Sequence, residues 1–215
     1  MNPLIPVKSG SVELPALIIT AVSKFIVMDW LGMRAFYISA ICMFWLCYVY
    51  YKYKQDRSVI RYWGFKLENT GRSLLMLMPF LVVCIALMVL FAYRNHTSLL
   101  NFHMMPVMIL YPLWGTVQQF MLTGIVADIL GKTKQLSHHK WAVILLTSFL
   151  FGLIHYPHAV LMVFTFIMEI VFLTVYFKWW NLWALGISHG IIATFLLYYV
   201  LNRDLWIELF AWFQI

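Results

Sequence analysis

The chain has 215 residues, of which 64% are hydrophobic and 11% charged, with 17 Phe, 12 Tyr and 10 Trp, a balance that excludes an ordinary soluble domain and predicts an integral membrane protein. The net charge of +7 does not point to nucleic acid, because the Lys and Arg residues fall between apolar segments instead of gathering on one basic domain.

The opening stretch MNPLIPVKSGSVELP lacks an early apolar core followed by a small-residue cleavage site, so no cleaved signal peptide is expected, and the last residues carry no lipidation signal. Apolar windows follow at roughly 14–32, 34–51, 73–93, 104–130, 141–156, 158–177 and 181–201, which predicts about seven spanning helices of ~20 residues each. The fifth is short. Pro157, in IHYPH, stands between it and the sixth, so these two should form a hairpin with a tight turn. The closing stretch RDLWIELFAWFQI mixes charge with aromatic residues and suits an interfacial helix better than an eighth span. The expected fold class is an all-α polytopic membrane protein, with residues 1–215 as a single transmembrane domain free of internal repeats and linkers. Cys42, Cys47 and Cys84 lie in apolar runs without framework spacing and are expected as reduced, buried thiols.

Orientation follows from the basic residues. Lys52, Lys54, Arg57, Arg61, Lys66 and Arg72 follow the second span, and Lys132, Lys134 and Lys140 follow the fourth. With Lys8 and Lys178 on the same side and only Arg34, Arg94 and Arg203 opposite, seven helices satisfy the positive-inside rule with the N-terminus inside and the C-terminus outside.

Polar groups inside the spans are candidates for function, because hydrocarbon leaves them unsatisfied. They are Gln118 and Gln119 in the fourth span, His155 and His158 around the hairpin turn, Glu169 in the sixth, His189 in the seventh, and Lys24 in the first. Measured from the cytoplasmic ends at ~1.5 Å per residue, Gln118 lies about 18 Å deep, His155 about 21 Å and His189 about 12 Å, so they can meet near the midplane. Adjacent glutamines point ~100° apart on a helix and need partners on two faces, which suggests a polar cavity or a network rather than a single interhelical contact. Taken singly, the histidines fit satisfied core positions, and His158 fits the interface. Glu169 requires a polar neighbourhood in any protonation state, Lys24 is expected to snorkel or to pair with Glu169, and Asp128 to reach water.

A polar pair in the fourth span is followed by Phe151-Gly-Leu-Ile-His155 in the fifth, and by Asn181-Leu-Trp and Ser188-His189-Gly190 in the last. This order resembles the CAAX-protease and bacteriocin-processing family of intramembrane proteins. The resemblance covers roughly residues 104–200 and implies a family-like helical core there. That family's motifs are E-E-x-x-x-R, F-x-x-x-H and H-x-x-x-N. The two glutamate positions fall on Gln118 and Gln119 and the arginine position on Thr123. Phe151 and His155 keep the second motif, whereas His189 keeps only half of the third, with Ala193 at its fourth position and Thr194 one residue out of register.

The resemblance implies a mechanism in which glutamate activates water while histidine and asparagine stabilise an oxyanion. Glutamine cannot accept that proton, and loss of a general base typically costs ~10²–10⁴ in rate. A degenerate glutamic-protease site is therefore expected. It would bind a peptide, a lipidated tail or a partner's transmembrane helix without cutting it, with Gln118, Gln119, His155, His189 and Glu169 as catalytic-position candidates. Phe151, Thr123, His158 and Thr194 are expected to contact substrate. The alternative is an active endopeptidase with Glu169 or a histidine as base, provided that Glu169 sits within ~3 Å, or one water, of the histidines. A metal site of His155, His158 and His189 is disfavoured because Pro157 breaks the His-x-x-His face, and a purely structural subunit remains open. No cofactor or metal is expected. The expected partners are membrane lipids and a membrane protein or peptide, and the resemblance implies a bacterial or archaeal cytoplasmic membrane.

Overall fold

The computed structural model describes residues 12–210, and every regular element in that range is helical. Helix α1 (Glu13–Ser23) runs directly into a π-helical stretch, Lys24–Trp30. Then come α2 (Arg34–Gln55), the short α3 (Ser58–Tyr62) and α4 (Thr70–Arg94). Helix α5 (Met104–Gln119) continues through π-helical Phe120–Val126 into α6 (Ala127–Lys132). The remainder is α7 (Lys140–Leu153), α8 (Ala159–Trp179), α9 (Leu182–Phe195) with π-helical Leu196–Val200, and α10 (Leu205–Phe210).

Among the described residues, five helices are long and apolar enough to cross a membrane: Arg34–Gln55, Thr70–Arg94, Met104–Lys132, Ala159–Trp179 and Leu182–Val200. The other two windows also form helices. The first carries Glu13, Lys24 and Asp29 along its length, and α7 has only 14 residues, about 21 Å at ~1.5 Å per residue. Leu75, Leu87, Leu113 and Phe149 are exposed on the outer faces, as apolar side chains are where the surrounding solvent is hydrocarbon.

Helices α5 and α9 form the spine of the bundle, and glycine sets how closely they meet. A Cβ on Gly115 would lie 2.8 Å from the Gly186 carbonyl oxygen, one on Gly186 would collide with Thr116, and one on Gly190 with the backbone of Pro112. Without a hydrophobic drive between helices in lipid, such close backbone packing is a main source of association. Helices α7 and α8 pack side by side as the expected hairpin, with Tyr156 and Pro157 in the turn.

Side-chain contacts pin the two ends of the bundle. At the basic end, Lys52 pairs with Glu13 at 3.1 Å, and the Tyr62 hydroxyl donates to Asp128, which also takes Lys132 at 2.6 Å. The Asn181 side chain caps α9 by accepting from the Ala184 amide at 2.9 Å, while its Nδ2 donates to the Lys66 and Glu68 carbonyls at 2.7 and 3.0 Å. At the opposite end, Tyr199 donates to the Leu99 carbonyl at 2.9 Å and His103 meets Asp204 at 2.8 Å. Of the expected interfacial helix, α10 is seen. Residues 211–215, and Lys8 with the rest of 1–11, lie outside the described residues.

Candidate functional site

The two glutamines end α5, just before the π-helical turns, and they diverge as neighbours on a helix must. Gln119 turns into the bundle and is fully buried. Its Nε2 donates to Glu169 Oε2 at 2.8 Å and lies 3.2 Å from His189 Nδ1, so one amide joins a carboxylate on α8 to an imidazole on α9. An amide nitrogen has two hydrogens and no lone pair to offer; His189 Nδ1 therefore acts as acceptor, and the ring proton sits on Nε2. Gln118 turns the other way, onto the wall of a cavity of about 580 Å³, and its Oε1 has no protein partner.

Phe151 and His155, four residues apart, come to one side of the chain as α7 ends. The Phe151 ring stands edge-on to His155 at 4.9 Å between centroids and 5.7 Å from His189, so one ring packs against both imidazoles. His155 Nδ1 lies 2.8 Å from the Phe151 carbonyl and 3.3 Å from Thr165 Oγ1. A carbonyl can only accept, so this Nδ1 carries the proton and Nε2 is left as an acceptor. The two histidines, which both line the cavity with Gln118, are thus opposite in character: His189 Nε2 can donate and His155 Nε2 can accept.

Three other expected residues fall elsewhere. Thr123 is buried, and its hydroxyl donates to the Gln119 carbonyl one turn back, in the π-helical stretch. Thr194 is buried with its hydroxyl on the Gly190 carbonyl at 2.8 Å, and Ala193 takes the cavity side at that turn. His158 is exposed at the start of α8. Lys24 does not reach Glu169. It pairs with Asp29 at 2.7 Å and approaches the Tyr156 carbonyl at 3.5 Å.

Thr165 was not singled out from the sequence, although it lies four residues before Glu169 and so shares that helix face. It lines the cavity and steadies His155. Most of the rest of the wall is apolar, with Leu17, Ile38, Trp114, Met121 and Phe164 among its contributors, and Lys24, Arg34 and Arg203 also reach it. No Asp or Glu among the described residues lines it: Glu169 is fully buried behind Gln119, with its Oε1 unpartnered. No group of three or more His, Cys, Asp or Glu among the described residues could hold a metal ion. The site can therefore offer a donor, an acceptor and an amide to a ligand otherwise surrounded by hydrocarbon.

No curated protein and no solved structure matches the chain. Residues 98–195, which carry Gln118, Gln119, His155, Glu169 and His189, match the family model described as Type II CAAX prenyl endopeptidase Rce1-like, so the chain is a polytopic integral membrane protein similar to the CAAX proteases over that stretch.

Proposed function

We propose that the protein uses a protease-like cavity to bind a membrane-embedded peptide, lipidated tail or partner helix without hydrolysing it. The observation that carries this is the composition of the polar wall: Gln118, His155 and His189 line it, and no carboxylate among the described residues does. A peptide or ester carbonyl can accept from His189 Nε2 and a neighbouring N–H can donate to His155 Nε2, so the wall suits an acyl group. Activating water there requires a base; glutamine supplies none, and in this pose the one acceptor nitrogen, His155 Nε2, is taken by the ligand's N–H. Residues 104–200 are proposed as the functional core, in a bacterial or archaeal cytoplasmic membrane with the loop from Lys52 to Arg72 inside.

One observation favours the alternative, an endopeptidase with Glu169 as base. Glu169 is a single amide away from His189, and its free oxygen leaves it one position to bind water. A farnesylated CAAX peptide and its unprenylated counterpart, offered to purified protein in detergent, separate the two. Prenyl-dependent binding with no released tripeptide by mass spectrometry is the expected result. Tripeptide release that Glu169→Gln abolishes, with the fold intact, would establish the endopeptidase instead.

A further inference from the structure

The end of the cavity away from the basic loops is charged in an uneven way. Lys24, Arg34 and Arg203 all line it, whereas their carboxylate partners, Asp29 and Glu208, do not. Lys24 pairs with Asp29 at 2.7 Å. Arg203 holds Glu208 through Nε at 2.9 Å and Nη2 at 2.6 Å, and Arg34 bonds the same carboxylate. Asp204, next in sequence, is turned away: it takes His103 at 2.8 Å, Asn101 at 3.2 Å and the Tyr198 hydroxyl at 3.1 Å. Three cations less two carboxylates leaves one positive charge on the wall of a largely apolar cavity. The two guanidiniums sharing Glu208 are where that excess sits, and a guanidinium fork matches the paired oxygens of a carboxylate or a phosphate.

We propose that this end binds the oxyanion head of a single-chain lipid, carboxylate or phosphate, whose tail fills the apolar part beside Trp114 and Phe164. The cavity volume of about 580 Å³ lies within the range of ~300–1,000 Å³ typical of small-molecule sites. The proposal rests on the cavity being a binding site and adds the chemistry of one ligand class. An acid at Arg34 and Arg203 completes the charge balance that Glu208 alone leaves short, and a zwitterionic head, which carries its own cation, does not.

The test measures equilibrium binding of palmitate, palmitoyl lysophosphatidate and palmitoyl lysophosphatidylcholine to the whole protein in neutral detergent. At least one acid should bind about tenfold more tightly than the zwitterion, the scale of one charge-assisted hydrogen bond, and the tighter acid identifies the head. Arg34→Gln should erase that preference, and Glu208→Gln, which unmasks a second cation, should enlarge it. Misfolding cannot move the ratio in opposite directions in the two variants. Equal affinity for all three lipids, or a preference that survives Arg34→Gln unchanged, would overturn the proposal. If a farnesylated peptide amide still binds under those conditions, the cavity reading stands and only the head-group assignment falls.

Discussion

Gln119 holds the one carboxylate that faces the histidines from behind, so its loss should be felt as stability before it is felt as binding. Gln119→Leu leaves Glu169 buried without its donor and should cost ~1–3 kcal/mol, read as a lower thermal midpoint in detergent. Glu169→Gln replaces the carboxyl but keeps the shape and an acceptor for Gln119, and should cost clearly less. A larger loss from Glu169→Gln than from Gln119→Leu would show that the carboxylate has another, stronger partner. That two adjacent amides would need partners on two faces was legible from helical geometry alone. The partner of Lys24 was not legible. In an α-helix a residue five positions on points well away, but Lys24 and Asp29 lie in a π-helical stretch, whose wider winding brings that spacing back toward one side, and composition does not announce such a stretch.

Among the elements, the α5–α9 seam tolerates change least. Gly186→Ala drives a methyl into Thr116 and should destabilise by ~1–3 kcal/mol or more or prevent folding, whereas Gly131→Ala, with nothing within 4 Å of its new Cβ, should be silent or mildly stabilising. Expression level and thermal midpoint of the pair check this. At α10, Asp204 Oδ1 accepts from the Ile207 amide at 3.2 Å, so Asp204→Ala should remove about 1 kcal/mol of capping and speed hydrogen exchange over 205–210. Partial burial raises the Asp204 carboxyl, but hydrogen bonds from His103, Ile207, Asn101 and Tyr198 outweigh it and hold the group below the usual carboxylate range. Protection of α10 should accordingly persist on acidification down to about pH 3.9, the usual Asp value, and be lost below it as the carboxylate is protonated. The hairpin was legible because Pro157 punctuates it. Asn181 as a clasp on the Lys66–Thr70 loop was not, since that contact joins residues more than a hundred positions apart.

For the whole molecule, the basic loops gather at one end of the bundle, and the proposed orientation, with that end in the cytoplasm, rests on the positive-inside rule. In a variant with its three native cysteines replaced, Gln55→Cys should resist an impermeant thiol reagent in intact cells and react once they are opened. Ready labelling of intact cells would reverse the orientation. The order of the apolar helices was legible because hydropathy tracks span length, although among the described residues five of the seven expected spans are long and apolar enough to cross; the cavity was not legible, because its wall draws on α1, α2 and α5 to α10 and no periodicity encodes which faces meet. Its apolar lining has a further consequence. A tail already dissolved in the bilayer gains almost nothing by exchanging lipid chains for Leu17, Ile38 and Phe164, since leucine and lipid are about equally apolar. Tail length is then a poor discriminator. Choice among the thousands of chains that drift past must fall to shape and to the few polar atoms of the wall, and occupancy follows the ligand's mole fraction in the membrane rather than its concentration in water.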